Sequence, residues 1–190
     1  MLSFLNEAPL FRLAEVRENK ALLPKERGVY GLFFDTLPGG APASGCHVRD
    51  GLHLLYAGTA GADLSKTGNL RTRLGDHHLG GNERRSTVCQ TLAALMPEVA
   101  GQCVQKLERG NVKYHTSAEG VRKVQAWMDE HISTCWAVSP DPGALEREII
   151  AQYELPLNLE YNSRHHFARE LGDLRAKRRS SALLGATFGS

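Results

Sequence analysis

No stretch of this chain stays apolar long enough to cross a bilayer, and none of its four cysteines lies close enough to another to form a CxxC redox centre or a zinc site. Cys46, Cys89, Cys103 and Cys135 therefore read as free thiols in the interior. The charge excess is small as well: 23 Lys and Arg against 21 Asp and Glu leave +2, too little for net charge alone to identify a partner. There is no internal repeat and no low-complexity tract. Apolar, charged and glycine fractions are ordinary, which excludes fibrous and disordered classes for the body. The opening MLSFLNEAPLFRLAEVREN carries charge too early for a secretory leader and reads as a folded N-terminal helix, so the expected compartment is the cytoplasm.

What is present is a 190-residue chain, suited to one domain over 1–190 with a sizeable core. GVYGLFF at 28–34 and LHLLYAG at 52–58 are β-branched and aromatic with glycine punctuation, and read as a hairpin. Their connection is long and rich in Gly, Pro and Ser, which predicts an exposed, mobile loop of the kind that often touches ligands. From Asn69, NLRTRLGDHHL spaces Leu70 and Leu74 as a helix, with Arg73 and His77 one turn apart. STVCQTLAALM follows with Ser86 as cap, 97–118 reads as short strand and loop, and 119–130 puts Val121, Val124 and Met128 inward. ISTCWAVS at 132–139 is a third strand. Asp141 then caps a helix whose first position is Pro142 and which ends near Glu154, ahead of Pro156. A last helix, about 167–179, is basic on one side.

Arginines gather locally: Arg71 with Arg73, Arg84 with Arg85, and a run between Arg175 and Arg179. Local clusters suit phosphate contacts, although a solvated surface produces the same pattern. The adjacent His165 and His166 lack a spaced carboxylate or thiol partner, and read as structural or facing DNA.

Two strand tripeptides, Gly28-Val29-Tyr30 and Tyr56-Ala57-Gly58, are followed by NLRTRL and then by ALEREIIAQYELPLN, and in this order they resemble the GIY-YIG nuclease superfamily, small stand-alone bacterial members included. The resemblance implies an α/β fold: a small central mixed sheet of about three strands flanked by helices. It gives a core at about 27–160, a helical insertion at about 81–131 and a basic C-terminal helix. It selects Tyr30, Tyr56, Arg73, His77, Glu146 and Asn158 as catalytic, with Glu146 as metal ligand for Mg²⁺ or Mn²⁺. The pattern departs from the family at Ala57, where isoleucine or valine is usual, and at Thr59, where some relatives carry a lysine that would contact phosphate.

The implied activity is metal-dependent endonucleolytic hydrolysis of phosphodiester bonds, in DNA ahead of RNA, with an RNA-cutting nuclease or a catalytically silent nucleic-acid-binding module as alternatives. One carboxylate suffices for Mg²⁺, which keeps several of its waters. Arg73 can grip phosphate through its planar fork. A phenol with a pKa of ~10 needs cationic neighbours before it can act as a base. By resemblance Tyr56 is the water-activating base and Tyr30 the orienting group, two roles that could be exchanged. His77 donates to phosphate or shares in proton transfer, and Asn158 positions Glu146 or a metal-bound water. Glu148 falls on another helical face and reads as a surface charge. Arg71, Arg84 and Arg85 are the expected nucleic-acid contacts.

Overall fold

A computed structural model of the chain describes residues 2–62, 68–80, 86–108 and 111–182. In chain order it contains α1 (Phe4–Glu7), β1 (Phe11–Arg12), α2 (Leu13–Glu18), β2 (Gly28–Phe34), β3 (Val48–Arg49), β4 (Leu52–Ala60), a π-helix (Arg71–His78), α3 (Thr87–Leu95), α4 (Pro97–Ala100), β5 (Cys103–Glu108), β6 (Asn111–Thr116), α5 (Ala118–His131), β7 (Ile132–Val138), α6 (Pro142–Gln152) and α7 (His166–Ser181). The main sheet runs β1-β7-β2-β4-β3. Every pairing in it is antiparallel. Five strands thus replace the expected three, and the sheet is not mixed. The three long strands are those expected; the extra two are edges of two residues each, too short to leave a periodic signal.

β2 is buried along its whole length because both sheet faces are covered. Tyr30, Leu32 and Phe34 join a core with α2, the π-helix, α3, α5 and α7. Val29 and Phe33 join another with α1 and α6. That alternation is the two-residue period of a strand. Between Leu32 and Phe33 the register with β4 shifts, leaving Leu55 as an extra residue on β4. The bulge puts Leu55 and Tyr56 in the same core as Tyr30, with Leu54 and Ala57 in the other. A bulge re-aims a side chain in this way beside many active sites.

The N-terminal segment is not one helix. Ala8, ahead of Pro9, is extended with ψ 148°, as steric clash with a following proline requires, and the chain resumes as β1 and α2. The connection between β2 and β4 is exposed over most of its length, as expected, with Pro38 and Ala41 buried. The segment at 81–131 is not purely helical: β5 and β6 pair as an antiparallel hairpin between α4 and α5. Ser86 Oγ accepts from the Cys89 amide at 3.1 Å and Asp141 Oδ1 from the Ala144 amide at 2.9 Å, so both expected caps form. Val124 and Met128 are buried, with Val121 partly exposed. All four cysteines are free; Cys89 and Cys135 are buried, and Cys46 and Cys103 only in part. No described helix is long and apolar enough to cross a membrane.

Candidate active site

Tyr30 and Tyr56 sit on neighbouring strands of one sheet face, their ring centroids 6.3 Å apart. Gly58 pairs directly with Tyr30 across the strands. A Cβ there would overlap the Tyr30 hydroxyl and ring, so the glycine of the second tripeptide makes room for the tyrosine of the first. Gly28 has the corresponding constraint: a Cβ would collide with the Ala137 carbonyl of β7.

Arg73 lies close enough to both tyrosine hydroxyls to interact electrostatically with each. Burial works against its charge, yet the two phenol oxygens outweigh that and hold the guanidinium pKa above its ordinary value. The helix carrying it starts with α-type bonding, Arg73 N to Asn69 O at 2.9 Å, and ends with an i→i+5 bond, Leu79 N to Leu74 O at 3.0 Å. π winding brings residue i+5, rather than i+4, above residue i, and π segments recur at functional sites. Here the consequence is direct. His78, not His77, meets Tyr30, with Nε2 2.6 Å from the hydroxyl and Nδ1 2.7 Å from Ser86 Oγ.

His78 is buried, and burial, followed by the Arg73 charge, drives its pKa well below the usual histidine value, so it is a neutral ring. Burial, followed by Tyr56, pushes the Tyr30 phenol well above its ordinary pKa. Tyr30 is therefore a sealed hydroxyl held between Arg73 and His78. Tyr56 is different: its hydroxyl is 3.2 Å from Thr87 Oγ1, and it lines a cavity of about 190 Å³. Glu146, Asn158, Glu160, Thr91 and Arg175 line the same space.

Glu146 stands beside the buried row Leu145, Ile149 and Ile150 of α6, which packs the helix on the sheet and leaves the carboxylate at the cavity wall. Its pKa is raised to about 7, first by burial and then by the charge of Glu160, against the pull of Arg73 and Arg147. Glu148 is exposed, as expected.

The geometry gives Asn158 another role than orienting Glu146. Its Oδ1 accepts from the Ala57 amide at 2.9 Å and its Nδ2 donates to the Ala57 carbonyl at 2.8 Å. β3 pairs only with Leu52 and His53, so β4 has an open edge at Ala57, and the asparagine amide closes it as a neighbouring strand would. Asn162, fully buried, continues the stitching by donating to the Leu155 and Asn158 carbonyls. Arg71 is likewise occupied away from the cavity: its Nε and Nη2 donate to the Leu23 carbonyl at 2.9 and 2.7 Å. Arg84 and Arg85 lie outside the described residues. His165 is structural; its Nδ1 accepts from the Phe167 amide at 3.1 Å at the start of α7.

His78 and Glu160 escaped the sequence reading, and Arg175 was noted only as part of a cationic run and not as a neighbour of Tyr56. Glu160 adds a second negative charge beside Glu146. Arg175, donating to Gln90 Oε1 at 2.8 Å, brings a cation from α7 to the wall near Tyr56.

Tyr30 and Tyr56, on a small antiparallel sheet, thus stand beside an arginine of the neighbouring π-helix, with Glu146 at the cavity wall. The chain belongs to the GIY-YIG family: the family model described as the GIY-YIG catalytic domain matches residues 28–177. Members of that family are endonucleases. No curated protein and no solved structure matches the chain.

Proposed function

We propose that the chain is a metal-dependent endonuclease that hydrolyses phosphodiester bonds, with DNA as its substrate. The observation that carries this reading is the cavity under Tyr56, which brings the phenol, the Glu146 carboxylate and the Arg175 guanidinium to one space beside the Tyr30–Arg73 pair.

A divalent cation suits the residues present. Glu146 is half-buried and next to Glu160, and its raised pKa reflects a desolvated negative charge that a cation would relieve. One carboxylate suffices for Mg²⁺ or Mn²⁺, because such ions take few protein ligands and keep several of their waters. Such an ion supplies neutralisation of charge on the phosphoryl and leaving oxygens.

The chain's own groups do the rest. Arg73 presents its planar fork to the phosphate, and His78 fixes Tyr30 beside it. Tyr56 Oη, acting as the phenolate at the cavity wall, takes the proton from the water whose oxygen attacks phosphorus, while the P–O bond to the leaving oxygen breaks and that oxygen takes a proton from solvent. Arg175 offsets charge at the opposite wall. Asn158 is a positioning residue that holds the Tyr56–Gly58 tripeptide through Ala57.

The test is incubation of the chain with supercoiled plasmid and, separately, with RNA, each with Mg²⁺ or with chelator. Nicking of plasmid with Mg²⁺ and none with chelator is expected. Binding without cleavage under Mg²⁺ and Mn²⁺ supports a silent binding module, and cleavage confined to RNA overturns the substrate assignment. Glu148→Gln serves as a variant that retains wild-type cleavage.

A further inference from the structure

Next to the cavity under Tyr56 lies a larger one of about 290 Å³, walled by α3, the β5–β6 hairpin and α7, with Gln90, Lys113, Tyr114, Arg175, Arg178 and Arg179 in its lining. Four cations line it, and none of its described lining residues is acidic. Arg175, Arg178 and Arg179 stand at i, i+3 and i+4, one face of a helix.

Their anchors are neutral. Arg175 donates to Gln90 Oε1 at 2.8 Å, and Arg178 donates to the Gly101 carbonyl at 2.8 Å and to Thr116 Oγ1 at 3.1 Å. Such bonds orient a guanidinium without cancelling its charge. Arg175 is partly desolvated, and burial together with Arg179 depresses its pKa, the mark of cations crowded without a counter-charge. Docking α7 onto α3 and the hairpin accounts for Arg175 and Arg178. It does not account for Arg179 and Lys113, which are exposed and whose side chains make no hydrogen bond or ion pair among the described residues.

The volume is near the lower end of the ~300–1,000 Å³ usual for small-molecule sites. That is room for one nucleotide and not for a duplex. Tyr114 supplies an aromatic wall of the kind on which unpaired bases stack. Because Arg175 lines both cavities, an anion held in the second is close to one held in the first, as successive phosphates of one strand are.

We propose that this cavity is a strand-binding subsite, taking one unpaired nucleotide next to the bond that is cut, with its phosphate on the arginines and Lys113 and its base against Tyr114. The inference rests on the nuclease reading for which bond is cut, but the binding is independent of it.

Fluorescence anisotropy of the full chain with a short single-stranded oligodeoxynucleotide and with its blunt duplex, in chelator and over a NaCl series, tests it. Wild type binds the single strand more tightly. Lys113→Ala with Arg179→Ala weakens single-strand binding about tenfold and reduces the salt slope by about one to two. Tyr114→Leu weakens single-strand binding about tenfold with an unchanged salt slope, since stacking releases no counterions. Arg122→Ala, an exposed cation of α5, serves as control and leaves both unchanged.

Wild-type single-strand affinity and salt slope in the Lys113/Arg179 variant overturns the proposal, as does an equal loss in Arg122→Ala or a preference for the duplex. Should Tyr114→Leu melt at a lower temperature, the exposed Lys113/Arg179 pair decides alone. A chain that binds as proposed but cuts nothing under Mg²⁺ overturns only the nuclease reading. A chain that cuts while binding is insensitive to these variants overturns only the subsite.

Discussion

The cavity under Tyr56 mixes signs, with Glu146 and Glu160 facing Arg175, whereas the cavity under the hairpin is lined by four cations and no acid among its described residues. They share one arginine. Mixed sign is what hydrolysis needs, because a cation and a base have to coexist near the phosphate; single sign is what holding a polyanion needs. On the proposed reading, the difference separates chemistry from grip along one face of α7, with Arg175 as the residue on which both would depend.

Arg175→Ala therefore has the largest expected effect outside the catalytic centre. Cleavage at subsaturating DNA should fall about a hundredfold or more, as for loss of one preorganised donor, together with weaker single-strand binding. Arg175→Lys should recover little, because a lysine cannot keep the fork that Gln90 orients. A loss confined to binding would move Arg175 wholly into the second cavity.

The tyrosines sharpen the contrast between a group that faces the cavity and one sealed behind it. Tyr56→Phe should slow the single-turnover step by about a hundredfold and remove the rising limb of its pH profile. Tyr30→Phe should instead lower stability by about 1–2 kcal/mol, because it strips buried His78 of its 2.6 Å partner. A wild-type rate and pH profile in Tyr56→Phe, with both lost in Tyr30→Phe, would reverse the two roles.

Asn158→Ala tests the positioning role. It leaves the Ala57 N–H and C=O unpaired at a buried strand edge, and chemical denaturation should show a loss of about 2–3 kcal/mol. Unchanged stability would return Asn158 to the cavity as a group acting on Glu146.

Smaller effects follow from pH. The Glu146 pKa of about 7 lies above the ordinary glutamate value of 4.5, so between these pH values the folded state holds more proton than the unfolded one and stability falls as pH rises. In metal-free buffer at pH 8, Glu146→Gln should melt a few degrees above wild type, since ~1 kcal/mol moves Tm by ~2–4 °C at this size. His78 has the opposite sign. Its depressed pKa makes the folded state lose stability as pH drops below about 6.5. His78→Asn, which takes up no proton there, should flatten that acid limb in a denaturation series.

The strands β2, β4 and β7, the caps at Ser86 and Asp141, and helices α5 to α7 were legible because each has a period or a terminating residue in the sequence itself. The pairing of Tyr30, Tyr56, Arg73 and Glu146 was legible through motif order. His78 was not, because π winding is set by tertiary packing and leaves no composition signal; the resemblance selected its neighbour His77. Asn158 was found, but its partner was not: a side-chain amide pairing with Ala57, 101 residues away, has no local trace. Glu160 and Arg175 reach the cavity from a loop and from the last helix, contacts of high sequence separation that no window reveals.

The most direct measurement pairs cleavage with binding in one variant. Glu146→Gln, assayed with Mg²⁺ on labelled DNA under single-turnover conditions, should lose cleavage by about a thousandfold or more and bind the single strand as tightly as wild type. Cleavage near the wild-type rate, or loss of binding in step with loss of cleavage, would contradict the separation of a metal-dependent hydrolytic cavity from a strand-holding one.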